Sequence, residues 1–157
     1  MEFERAVNFV LKEEGGYVDD EFDTGGETNF GISKKSFPNV DIKNLTIGMA
    51  KHLYEVHYWI PMKGDGLPRN IRLIAFDCAV NQGVSFASKS LQEASNAKVD
   101  GVIGPKTLEA LYQTDEKELL EKFTQKRMER YFNIPTFKRY GKGWIKRLIR
   151  ATIETSV

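Results

Sequence analysis

Apolar residues recur near the start of the chain at the spacing of one helical face: Phe3, Ala6, Val7, Val10 and Leu11 stand at i, i+3, i+4, i+7 and i+8. The pattern predicts a helix over residues 3–14, and its stripe extends from Val10 or Leu11 onto Glu14, which therefore points inward. Glu13 falls about 100° away, toward the side of Glu2, Arg5 and Lys12. Gly15 and Gly16 supply the left-handed residue that commonly ends a helix. Thr28, Phe30 and Ile32 around Gly31 then suit a short β-hairpin or loop.

Beyond residue 40 the periodicity is helical again. Thr46 predicts the cap of a helix to residue 58, with Ile47, Ala50, Leu53, Tyr54 and His57 as its inner stripe. A Pro/Gly-rich connector runs from Pro61 to Pro68. Residues 69–82 are apolar around nearly their whole circumference, through Ile71, Leu73, Ile74, Ala75, Phe76, Cys78, Ala79 and Val80, which predicts a central buried helix. Further helices are predicted from a Ser85 cap to Ser95, from Pro105 at a first helical position, and from Asp115 to Tyr131. The last covers residues 142–154, with Trp144, Ile145, Leu148, Ile149 and Ile153 on its buried side. The fold class is mainly α. No internal repeat, low-complexity tract or flexible linker divides residues 1–157, so a single compact domain is expected.

Candidate chemistry concentrates at the end of the first helix. Glu14 lies in the last turn, where unpaired carbonyls carry partial negative charge; that field and partial burial both favour the neutral carboxyl, as a general acid requires. The plainer alternative is a helix-terminal Glu that reaches solvent or pairs with a neighbour. Asp23, nine residues later, is its natural carboxylate partner. Gly25, Gly26 and Gly31 let the backbone turn and approach a sugar closely. Asp19, Asp20, Glu21 and Asp23 resemble a calcium loop, but the glycine and terminal Glu miss the EF-hand offsets, so no metal and no cofactor are expected. A cleft for a hydroxyl-rich ligand would need aromatic faces and amides, and Tyr17, Tyr58, Trp59, Asn29, Asn81 and Gln82 are the candidates. Asp77 and Asn81, at i and i+4 on the apolar helix, must find partners; they either line the cleft floor or tie the catalytic loop to the core.

Taken together, Glu14-Gly15-Gly16-Tyr17 and Asp23-x-Gly25-Gly26-x-Thr28-Asn29-x-Gly31-Ile32 resemble the signature of glycoside hydrolase family 108. Tyr58-Trp59, Gly64-Asp65-x-Leu67-Pro68, Phe76-Asp77-x-Ala79-Val80-Asn81-x-Gly83 and Leu91-Gln92 are similar to its central segment. Asp100-Gly101-x-Ile103-Gly104-Pro105-x-Thr107-Leu108 and Gly143-Trp144-x-x-Arg147 resemble its C-terminal, peptidoglycan-binding region. The resemblance implies a lysozyme-like helical fold, with a catalytic lobe over 1–83 and a helical C-terminal lobe over 84–157. It also implies an endolysin-type N-acetylmuramidase, with Glu14 as proton donor. Phage-type lysozymes carry Glu, then Asp or Cys, then Thr at nearly the spacing of Glu14, Asp23 and Thr28. Gly26, Thr28 and Asn29 accordingly join Tyr17, Tyr58, Trp59, Asp77 and Asn81 as expected substrate-binding residues. Relatives usually carry Pro, Ala and Pro where this chain has Glu21, Phe22 and Thr24, so its loop is less preorganised. A lytic transglycosylase and a non-catalytic wall-binding protein are the alternatives.

Composition narrows the setting: 157 residues, 41% hydrophobic and 29% charged, suit one core in a soluble protein. Neither a long apolar run nor a basic-then-apolar leader appears, which predicts cytoplasmic synthesis without a signal peptide or stable membrane anchor. An endolysin of this form acts at the wall or periplasm after holin-dependent release, as a monomer on bacterial peptidoglycan. The lone Cys78 reads as a buried apolar residue. The net charge of +1 hides a basic end, Lys138, Arg139, Lys142, Lys146, Arg147 and Arg150, against acids over residues 13–27. Such an end suits anionic wall polymer, lipopolysaccharide or membrane surfaces, or is simply a solvated face; no nucleic-acid recognition motif accompanies it.

Overall fold

The computed structural model describes residues 2–19 and 26–157. Among them are seven α-helices: α1 (Glu2–Glu13), α2 (Ile47–Tyr54), α3 (Arg72–Gln82), α4 (Val84–Ala94), α5 (Pro105–Gln113), α6 (Glu116–Phe132) and α7 (Phe137–Thr155). A two-stranded antiparallel sheet, β1 (Thr28–Asn29) and β2 (Ile32–Ser33), follows α1, with Thr28 opposite Ser33 and Asn29 opposite Ile32. This is the mainly helical, lysozyme-like arrangement with a small hairpin that the sequence predicts.

The all-round apolar character of α3 makes it the axis of the molecule. Leu73 through Ala79 are all buried, and α1, α4 and α7 pack around them. α6 closes the far side by packing on both α4 and α7. Asp115 caps α6 by accepting the N–H groups of Lys117 and Glu118 at 3.1 Å each, and Thr46 caps α2 through the Met49 N–H at 3.2 Å. α4 departs from expectation: it begins at Val84 without a side-chain cap, at the corner made by Gly83 with φ +98°.

After Tyr54 the helix widens into a π-turn over Glu55–Trp59. Ordinary helical spacing would place Tyr58 beneath Tyr54, but a five-residue turn moves the inward position on by one. Trp59 therefore enters the core and Tyr58 stays half-buried. The indole stands 5.4 Å from the Phe3 ring and 5.5 Å from the Phe76 ring, centroid to centroid, and Gly64 lies so close that a Cβ there would come within 2.3 Å of it.

α7 starts at Phe137 rather than at residue 142, because Gly141 is a packing residue and not a break: a Cβ at Gly141 would meet the Phe137 ring at 2.4 Å. Its inward face also differs from the predicted one. Gly141, Arg147, Leu148, Ala151 and Thr155 are buried, whereas Ile149 and Ile153 are 53% and 60% exposed. The reason is electrostatic: Arg147 occupies an inward position opposite the buried Asp77, and this turns the isoleucine stripe outward.

Candidate active site

The end of α1 is held from two sides. The Glu14 N–H continues the helix by donating to the Val10 carbonyl at 2.9 Å, so its side chain leaves from the last turn. On one side lies the hairpin turn Phe30-Gly31, whose φ values of +51° and +77° are both left-handed, the requirement of a type I′ turn. A Cβ on Gly31 would fall 2.6 Å from Glu14 Cγ and 2.6 Å from the Tyr54 hydroxyl oxygen. Glycine is thus demanded twice, by backbone angle and by proximity to the acid. The Tyr54 hydroxyl fixes the turn by donating to the Phe30 carbonyl at 2.7 Å.

On the other side is α7. Arg147 Nη1 donates to Glu14 Oε1 at 2.7 Å, and its Nε donates to Asp77 Oδ1 at 2.9 Å. The second oxygen of Asp77 receives Arg127 Nη2 at 2.8 Å. Arg127, fully enclosed, also donates from Nε to Gln82 Oε1 at 2.7 Å and from Nη1 to the Ile74 carbonyl at 3.3 Å. The result is a chain of alternating charge, Arg127, Asp77, Arg147 and Glu14, running from the core to the surface. Burial alone would make both guanidinium groups easier to deprotonate, but the Asp77 carboxylate outweighs it and holds them above the ordinary arginine range. Glu14, at the outer end, keeps 25% of its side chain exposed.

This pairing is the plainer alternative for a helix-terminal Glu, with the partner supplied by α7. Glu13 differs from expectation: its side chain turns inward against α7, and Arg150 Nε donates to its Oε1 at 2.7 Å.

The other expected residues divide by accessibility. Tyr58 lies beside the acid, and burial together with the nearby Glu14 charge raises its pKa, so its hydroxyl remains a proton donor. Tyr17 is exposed and donates to Glu27 Oε1 at 2.8 Å; that bond, first of all, pushes its hydroxyl up to about 12. Thr28 pairs through its backbone with Val18, and Gly26 is in the left-handed region. Asn81 is exposed and accepts a hydrogen bond from Tyr131, leaving its amide N–H groups outward. Three others are enclosed. Trp59 is only 2% exposed and offers no ring face, Asp77 is fully enclosed by its arginines, and Asn29 spends its amide on the Ile42 carbonyl at 3.2 Å. Among the described residues the partners of Asp77 are arginines of α6 and α7, so it anchors the C-terminal helices to α3. Asp23 lies outside the described residues.

Sequence reasoning missed Arg147, Arg127 and Tyr54 as site residues. The signal was present on α6, where Leu119, Phe123, Arg127 and Tyr131 form one inward stripe, all of them buried. An arginine within an apolar stripe requires a buried acid, and Asp77 on the apolar α3 requires a cation.

Burial pushes the Cys78 thiol up to about 12, leaving it neutral and unreactive. Among the described residues no group of three or more His, Cys, Asp or Glu is placed to hold a metal ion. A hollow of about 650 Å³ lined by Glu2, Phe3, His52, Glu55, Trp59 and Asp65 sits at the opposite end of α1, away from Glu14.

The Gly31 contact makes a sharp expectation. In Gly31→Ala the positive φ alone costs about 1–2 kcal/mol, and the methyl group must also displace Glu14 or Tyr54. Activity should therefore fall further than a thermal melt would account for; a variant with wild-type activity would show that Glu14 does not need the turn.

Comparisons with known proteins identify the family. The family model described as glycosyl hydrolase 108 matches residues 7–83. A second, described as a predicted peptidoglycan domain, matches residues 86–149. The junction between them falls at the α3–α4 corner. No curated protein sequence matches. Among solved structures, that of Brucella abortus SagA is similar, with 32% identity over 98% of this chain and 93% of that one, and a TM-score of 0.90. The chain belongs to the glycosyl hydrolase 108 family.

Proposed function

We propose that this protein is a peptidoglycan N-acetylmuramidase, hydrolysing the β-1,4 bond between N-acetylmuramic acid and N-acetylglucosamine, with Glu14 as the proton donor. The observation that carries this reading is the clamping of one partly open carboxylate between the Gly31 turn and Arg147. A general acid needs a fixed direction toward the leaving oxygen and a means of becoming neutral. The clamp supplies the first. A glycan lying over the exposed part of Glu14 supplies the second, because loss of water favours the uncharged carboxyl.

Asp23 is the partner we propose on sequence spacing, either holding a water as general base or stabilising the oxocarbenium-like transition state. Tyr58 beside Glu14, together with the exposed Tyr17 and Asn81, are the side chains we propose for sugar contacts. The C-terminal half supports the reading in a second way: it supplies Arg147 and Arg127, and so belongs to the catalytic architecture as well as to any wall contact. Action at the bacterial cell wall follows from that substrate.

Purified peptidoglycan digested with the protein should release muropeptides carrying reducing N-acetylmuramic acid ends, read by mass spectrometry. Ends in 1,6-anhydro-muramic acid would instead identify a lytic transglycosylase, and binding without release would identify a non-catalytic wall protein.

A further inference from the structure

The outward turn of α7 leaves a face that the muramidase reading does not use. Its helical positions, at about 100° per residue, place Ile145, Lys138, Ile149, Lys142, Ile153, Lys146 and Arg139 on one continuous arc. Isoleucines and cations alternate across it, and no acid falls within it. Glu154, at its edge, is engaged by Arg5 of α1. Phe137, Gly141, Ile145 and Ile149 floor a shallow trough of about 530 Å³, rimmed by Lys138, Lys142 and Lys146.

We propose that this face is a reversible docking surface for a bilayer of anionic phospholipid. The charge calls for a negatively charged partner, and the isoleucines select among such partners. A wall polymer or nucleic acid gives exposed isoleucines nothing to bury in. Lipid offers phosphate at the height of the lysines and hydrocarbon just beneath, the arrangement that an interfacial amphipathic helix exploits. A second copy of the chain is disfavoured, because a two-fold contact through this face would set like charges against each other. The attachment is peripheral, since no helix among the described residues is long and apolar enough to cross a membrane. Arg147 leaves α7 about 100° round from Lys146, so docking leaves the Glu14 side of the helix free for glycan.

The test is co-sedimentation with phosphatidylcholine vesicles, with and without phosphatidylglycerol. Wild type should pellet with the phosphatidylglycerol vesicles at low salt, and less at high salt. The exposed pair Lys142→Gln/Lys146→Gln should partition roughly 25-fold more weakly, about fivefold per charge removed. Ile149→Ser/Ile153→Ser should lose about tenfold at unchanged charge. Both pairs should solubilise isolated peptidoglycan like wild type, which separates this result from any failure of the muramidase reading. No pelleting with phosphatidylglycerol at low salt would overturn the proposal. So would an Ile149→Ser/Ile153→Ser variant that binds like wild type, because the face would then be reading charge alone, as on a polymer.

Discussion

Asp77→Ala should destabilise the protein by about 3–5 kcal/mol. The carboxylate lies fully enclosed between Arg127 Nη2 at 2.8 Å and Arg147 Nε at 2.9 Å. Removing it leaves the fully buried Arg127 without its counter-charge and Arg147 with Glu14 alone. For a chain of this length each kcal/mol corresponds to roughly 2–4 °C, so the melting temperature should fall by about 6–20 °C. The figure is large beside the roughly 5–15 kcal/mol that holds a typical domain folded. Circular dichroism melts check it. A loss below about 1 kcal/mol would mean that Arg127 and Arg147 find other partners and that the charge chain is decorative. Asp77→Asn keeps an acceptor and the side-chain shape, so its loss should be smaller; any fall in activity there would report a loosened Arg147.

The same chain explains what the sequence revealed and what it concealed. Helix positions were legible because hydrophobic spacing sets them locally: α3 reads as central from its own residues, and Thr46 and Asp115 announce helix starts through their side-chain oxygens. The inward direction of Glu14 was legible for the same reason. Three features were not. The π-turn at Glu55–Trp59 carries Trp59 into the core in place of the inner His57, and spacing templates built on 3.6 residues per turn have no place for it. The rotation of α7 is set by a contact between Arg147 and Asp77, seventy positions apart, so the isoleucines that periodicity assigns to the core end up outside. The partner of Glu14 comes from that same distant helix, and no local pattern around Glu14 announces it.

The second large effect bears on catalysis. If Glu14 is the proton donor, Glu14→Gln should lower hydrolysis of purified peptidoglycan by roughly 10²-fold or more, the usual contribution of general acid catalysis. Glutamine retains the length and one carbonyl oxygen, so Arg147 keeps a hydrogen-bond acceptor and Gly31 keeps its close neighbour. The fold should therefore survive, and a melt close to that of wild type makes the kinetic loss interpretable.

The most direct measurement is turnover by Glu14→Gln beside wild type, following reducing ends released from purified peptidoglycan by two samples shown to be equally folded. The predicted result is a loss of roughly 10²-fold or more with an unchanged melting transition. Release at the wild-type rate from a folded Glu14→Gln protein would contradict the assignment of Glu14 as the acid.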